Sequence, residues 1–211
     1  MISDKYKCIY VHITKCAGTS IDRILLGKEF RSWDRTRKIH KQHASASQIK
    51  KYYTNEEQWN NYFKFTIVRN PFDRNVSAYN AVCKKQYCLK PSNFRDKLLF
   101  KEFVYRRGIF KDLLNPYLIT HKNSQALHFK TYNYYLFENN KLLVDYVGKF
   151  ENLAKEWDTI CEKLKINLTL SHLNKSPKTK NKHYREYYNN ETKDIISKIF
   201  KKDLETFRYE F

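Results

Sequence analysis

Two apolar runs stand out in an otherwise polar chain, Cys8-Ile9-Tyr10-Val11 and Phe63-Lys64-Phe65-Thr66-Ile67-Val68. Both are short and rich in β-branched and aromatic residues, which predicts buried strands of the parallel type. Each leads into a helical pattern. After the first, Ile21, Ile24, Leu25 and Leu26 recur at helical spacing and Gly27 marks a stop. After the second, Asn70 suits an N-cap, Pro71 suits the first helical position, and Val76, Tyr79 and Val82 point to a core face.

Residues 28–41 read as a polar, basic loop, and a short helix capped by Ser45 or Ser47 extends through Tyr53, with His43 at its entrance. Residues 55–61 read as a turn, 84–93 as a linker, and 94–108 as an amphipathic helix carrying Leu98, Leu99, Phe103 and Val104. Residues 115–131 are loop-like. Two extended runs, 132–137 and 142–150, flank a turn at 138–141. A helix over 152–164 places Leu153, Trp157, Ile160, Cys161 and Leu164 on one face. An irregular basic stretch, 166–182, precedes a last helix over 191–207, capped by Asn190, with Ile195, Ile196, Ile199 and Leu204 inward. No repeat, low-complexity tract or second domain is evident, so the expectation is one α/β domain over residues 1–211.

Candidate chemistry gathers where the first strand gives way to the first helix. Between them lies His12-Ile13-Thr14-Lys15-Cys16-Ala17-Gly18-Thr19-Ser20. A strand feeding a tight loop into a helix N-terminus makes an anion site, because the first N–H groups lack internal partners and the helix dipole favours negative charge. Gly18 lets a phosphate approach the backbone, Thr19 and Ser20 offer hydroxyls, and Lys15 offers a mobile charge. The alternative is a plain turn with a capping Thr or Ser and a solvated lysine. The loop is not a Walker A motif, since its lysine precedes its only glycine.

At the second strand, Arg69 occupies the carboxyl end, the edge where open α/β sheets bind ligands, and Ser77 follows about two helical turns later. An arginine fork with a hydroxyl suits a second phosphate. Otherwise Arg69 pairs with a carboxylate and Ser77 is a small packing residue.

Lys15–Ser20 resembles the 5′-phosphosulfate loop of sulfotransferases, and Val68–Tyr79 resembles their 3′-phosphate motif. The chain is most similar to the carbohydrate sulfotransferases, the group holding heparan 2-O- and chondroitin-type enzymes and bacterial relatives. The resemblance continues in Val147–Leu153 and in residues 173–211, so it covers nearly the whole chain in patches. It implies a P-loop-like three-layer fold, a central parallel sheet flanked by helices. It also implies transfer of a sulfuryl group from 3′-phosphoadenosine 5′-phosphosulfate (PAPS) to a hydroxyl of a glycan, with no metal.

In that reading Lys15 neutralises the bridging oxygen. Ala17, Gly18, Thr19, Ser20 and the loop N–H groups hold the 5′-phosphate, and Arg69 and Ser77 select the 3′-phosphate. His43-Ala44-Ser45 matches the family's catalytic base, with His40 in reserve. Phe150 lies beside the adenine, or is simply a core phenylalanine. Asn174–Lys178 resembles the segment before a closing loop, so that Lys178, Lys180 and Lys182 screen the 3′-phosphate or form a solvated basic loop. Arg106, Arg107, His121, Gln125 and His128 are candidates for acceptor contact.

Composition adjusts this picture in three places. The net charge of +19 and pI near 9.6 call for an anionic partner. A nucleotide with an anionic glycan, a nucleic acid, or a plain compositional bias each accounts for it; the charge is spread along the chain, which favours steering over a nucleic-acid arm. The five cysteines have no zinc-like spacing and read as reduced, structural thiols, Cys16 being a small loop filler or a thiol activated by its setting. No apolar run has the length of a membrane span, and no signal peptide precedes the first strand, which gives the expectation of a cytoplasmic protein, unlike membrane-anchored animal relatives. The rival functions are a P-loop-like nucleotide kinase, which needs a Walker A loop, and a basic nucleic-acid-binding protein without turnover.

Overall fold

A computed structural model of the chain describes residues 1–27, 33–34, 39–84, 100–101, 103–105, 127–170 and 183–211, with 33–34, 39–41 and 82–84 as backbone alone. In chain order its main elements are β1 (Ile2–Ser3), β2 (Cys8–Val11), α1 (Gly18–Leu26), α2 (Ala46–Tyr52), α3 (Glu56–Asn61), β3 (Phe63–Val68) and α4 (Pro71–Lys84). There follow α5 (Tyr132–Leu136), β4 (Tyr146–Lys149), α6 (Leu153–Leu164), α7 (Asn190–Ile199) and α8 (Lys201–Phe207). Small hairpins pair 33–34 with 39–40 and 137–138 with 141–142. The chain forms two compact units: Met1–Arg69 with Lys130–Pro177, and Asn70–Phe129 with Lys178–Phe211.

The first unit holds the sheet, in the order β1-β2-β3-β4. β1 is antiparallel to β2, and β2, β3 and β4 run parallel. Every residue of β2 is buried, as are Phe65 through Val68 of β3, which explains their unbroken apolar character. Thr66 is the polar exception, and its hydroxyl donates to the Val11 carbonyl at 2.8 Å. Val11 aligns with Thr66 and Val68 with Lys149, so the carboxyl ends of the three parallel strands share one edge. The mixed α/β architecture with a mostly parallel central sheet and flanking helices is the expected one.

Three local expectations change in the first unit. Residues 56–61 form a helix rather than a turn, because Asn55 and Gln58 make a reciprocal capping box. Residues 132–136 form a helix rather than a strand. Thr131 caps it through the Tyr134 N–H, and Tyr132, Tyr135 and Leu136 are buried at helical spacing, which overrides the strand preference of tyrosine. The turn that follows is tighter than expected, with left-handed Asn139 and Asn140 (φ 48° and 63°) closing a two-residue hairpin.

The second unit is helical and aromatic. Phe72, Phe100, Phe103, Phe129 and Phe200 form its buried core with Val76, Val104 and Ile196. Rings meet edge to face, as in Phe72–Phe211 at 4.9 Å and 78° and Phe100–Tyr188 at 4.8 Å and 77°. Asn70 caps α4 as expected, accepting from the Phe72 N–H at 3.0 Å, and its amide donates to the Glu210 carbonyl at 2.7 Å. The last helix differs from expectation: Asn189, not Asn190, is the cap, and the helix breaks at Phe200 into α7 and α8. The break leaves Ile199 exposed, while Ile196 and Phe200 are fully buried.

Candidate functional site

The first strand delivers its loop at the shared carboxyl edge. Lys15 and Ala17 both adopt left-handed backbone (φ 67° and 60°), bracketing Cys16. Ala17 is the N-cap of α1, no side chain caps the helix, and its first turn carries no acid. The alternative of a capping Thr or Ser is therefore excluded. Left-handed residues interleaved with others are the backbone habit from which anion-binding nests are made, and here they lead into uncapped helix N–H groups. Thr19 is exposed, Ser20 is buried, and Lys15 is half-buried.

The inner side of the loop is tied down. Tyr10 donates its phenol to the Cys16 carbonyl, and Cys16 donates its thiol to the Thr14 carbonyl, both at 3.5 Å. Burial, with Asp22 and Cys16 nearby, pushes the Tyr10 phenol well above its ordinary value and keeps it a donor. Cys16 is fully buried, which makes it a filler of the loop and not an exposed thiol.

Gly18 has a more specific reason than phosphate approach. A Cβ placed there would lie 1.9 Å from His12 Nε2, so the imidazole occupies the space a side chain would need. His12 and Asp22 are both buried, and His12 Nδ1 donates to Asp22 Oδ2 at 2.5 Å. Gln42 Nε2 donates to the same oxygen at 3.1 Å. His43, half-buried in the 3₁₀ turn 41–43, donates from Nδ1 to the His12 carbonyl at 3.2 Å, and the two imidazoles meet edge to face at 4.5 Å. A carbonyl can only accept, so the Nδ1 proton of His43 is fixed and the neutral ring carries its lone pair on Nε2. Ser45 then opens α2 with a capping box to Gln48.

Arg69 directly follows β3, at the carboxyl edge that also carries the loop. Its Nη1 donates to the Lys15 carbonyl at 3.3 Å, and its guanidinium sits 4.3 Å from the centroid of the Phe150 ring. Its backbone N–H donates to the Tyr132 hydroxyl at 3.1 Å, and that hydroxyl donates to the Arg69 carbonyl. Phe150 follows β4 in a 3₁₀ turn. The three parallel strands thus bring Lys15, Arg69 and Phe150 together from three separate motifs.

Ser77 lies half-buried on α4, and His128 is half-buried, both in the second unit. Lys178, Lys180, Lys182, Arg106, Arg107, His121 and Gln125 lie outside the described residues, as does the side chain of His40. Among the described residues, no group of three or more His, Cys, Asp or Glu side chains is arranged to hold a metal ion, and no helix is long and apolar enough to cross a membrane.

Sequence reading assigned no role to His12, Asp22, Gln42 or Tyr132. A signal existed for two of them. His12 is a titratable residue at the end of a buried strand. Asp22 is an acid in an otherwise apolar helix face, close to an N-terminus suited to anions, where a carboxylate needs a local cation or donor.

Comparison with known proteins adds one match and two absences. A family model described as "Sulfotransferase family" matches residues 1–210. No curated protein and no solved structure gives a significant match.

Proposed function

The chain belongs to the sulfotransferase family, and we propose that it moves a sulfuryl group from PAPS to a hydroxyl of a glycan, using both units as one catalytic domain. The observation that carries the donor assignment is the uncapped, left-handed loop at the head of α1, with the Arg69 guanidinium bonded to the Lys15 carbonyl and laid over Phe150. These groups fit a nucleotide with charge at two ends: N–H groups and hydroxyls for one phosphate, a guanidinium for another, an aromatic ring for a base.

In this reading the backbone of Ala17 and Gly18 and the hydroxyls of Thr19 and Ser20 bind the 5′-phosphate. Lys15 meets the negative charge that grows on the bridging oxygen as the sulfur–oxygen bond breaks. Arg69 reads the 3′-phosphate, and Phe150 lies beside the adenine. His43 Nε2 takes the proton of the acceptor hydroxyl as its oxygen bonds to sulfur, and 3′,5′-adenosine bisphosphate leaves. The acceptor is assigned to the glycans by the resemblance to carbohydrate sulfotransferases, and the charge of +19 suits an anionic one.

Titration of 3′,5′-adenosine bisphosphate, ATP and an oligonucleotide against the protein tests the donor. Preference for the bisphosphate over ATP, with weak and steeply salt-dependent oligonucleotide binding, is expected. ATP binding as tightly as the bisphosphate would point to a kinase instead.

A further inference from the structure

We propose that His12 and Asp22 form a buried positioning dyad that locks the base His43 to the donor loop; this rests on the sulfotransferase reading of the site. Four observations converge on it. The pair is almost completely buried, with His12 at 3% and Asp22 at 1% exposure, and is joined by a 2.5 Å bond. Its two members grip two consecutive residues of one turn. Asp22 Oδ2 accepts from Gln42, and the His12 carbonyl accepts from His43. The His12 ring lies directly against Gly18, at the mouth of the donor loop. Asp22 Oδ1 accepts no hydrogen bond among the described residues.

The last point separates a positioning device from ordinary packing. A buried carboxylate with one unsatisfied oxygen is a poor way to gain stability, and apolar side chains of similar volume would serve as well or better. What the pair supplies is direction. It holds the His12 ring and, through Gln42, the turn that carries His43, so that His43 keeps its Nδ1–H on the His12 carbonyl and its Nε2 basic. A ring free to rotate or change tautomer would present an N–H to the acceptor, which cannot take a proton.

The test reads tautomer and turnover separately. Imidazole ¹H–¹⁵N spectra of the ligand-free protein should show His43 as the Nδ1–H form and a far-downfield Nδ1 proton on His12. Asp22→Ala should remove that proton and shift His43 toward the Nε2–H form, while Asp22→Asn, whose amide oxygen can accept from both donors, should retain more of the native pattern. In turnover, Asp22→Ala should lower kcat by about 10-fold or more, part of the roughly 10²-fold or greater contribution of a general base, with bisphosphate affinity changed much less and partial rescue in Asp22→Asn. Combined with His43→Ala, it should cost little further, because both changes remove one function.

An unchanged His43 tautomer in Asp22→Ala overturns the proposal. Full multiplication of the two kcat losses does so too. Should Asp22→Ala fail to fold, the wild-type spectrum and the Asp22→Asn cycle decide on the same criteria. A wild-type protein that shows the His12 proton and the fixed His43 tautomer but prefers ATP to the bisphosphate would leave the dyad standing and remove the sulfotransferase reading of the site.

Discussion

The two units use buried polar groups in different ways. In the first, polar side chains join segments far apart in sequence: Asp22 accepts from His12 and Gln42, His43 donates to His12, and Arg69 donates to Lys15. In the second, Asn75 donates to Pro71 in its own helix and Thr192 completes a local cap with Asn189; its long-range bonds, from Tyr188 to the Phe72 carbonyl and from Asn70 to the Glu210 carbonyl, involve partly or fully exposed groups, while aromatic rings fill the interior. Directional bonds specify orientation, and ring packing specifies volume. The contrast predicts different signatures for removing a ring from the second unit and a directional group from the first.

The largest effect belongs to the second unit and to stability. Phe200→Ala empties a fully buried site in the aromatic core and should cost about 3–5 kcal/mol in denaturant unfolding. Turnover per folded molecule should stay near wild type. A large fall in kcat without a matching loss of stability would erase that difference.

Lys15→Ala should have the opposite signature, with little change in stability and a kcat lowered by about 10²–10³, the scale of removing one preorganised stabiliser of developing charge. The donor's Kd should rise only modestly, and Lys15→Arg should restore activity in part, since a planar fork does not replace a compact ammonium. If kcat holds while donor binding collapses, Lys15 is a ground-state anchor. His43→Ala should lower kcat by about 10² or more while preserving bisphosphate affinity, and His40→Ala should be much milder. Reversed phenotypes would move the base to His40.

Arg69→Ala should weaken bisphosphate binding by about 1.5–3 kcal/mol, the range for hydrogen bonds to charged groups. Adenosine 5′-phosphosulfate, lacking the 3′-phosphate, should lose less. Because the guanidinium also bonds the Lys15 carbonyl, equal losses for both ligands would make Arg69 a brace of the loop and not a reader of the 3′-phosphate.

The smallest effect concerns the strand beneath the loop. Burial pushes the Cys8 thiol up from 9.0 to about 12. A thiol harder to ionise in the folded protein contributes stability that is complete below pH 9 and disappears as pH rises toward 12. Between pH 9 and pH 10 its share of the loss is about 1 kcal/mol. The alkaline decline should be shallower by that amount in Cys8→Ala; identical slopes would show that Cys8 does not carry it.

Much of this arrangement was legible in the sequence, and the limits have physical causes. β2 was readable because a parallel strand buried on both faces has no polar alternation, and β3 because its β-branched and aromatic residues outweigh Lys64 and Thr66. The α4 start was readable because Asn70 and Pro71 are local signals. Tyr132–Leu136 misled because tyrosine favours strands, whereas Thr131 and the burial of one face decide for helix. The break at Phe200 was hidden because the apolar spacing continues across it. At the site, loop and strand-end residues declared themselves by position. The His12–Asp22 pair did not, since it joins a strand end to the body of a helix, and the Gln42 and His43 contacts depend on a turn arriving from a later segment.

The path of the chain through the two units also sets the order in which the protein can be made. Thr66 bonds a strand 55 residues earlier, and Lys64 bonds Asp145, 81 residues later. Between β3 and β4 the chain passes through the first piece of the second unit, and that unit receives its remaining helices only after β4 and α6. On a ribosome, neither unit can close before the other has begun. Distant parallel pairings are slow to form because loop entropy is lost before contacts reward it. The nascent protein therefore carries the outer edge of β3 unpaired until β4 is made, and cutting the gene between α4 and α5 would divide both units.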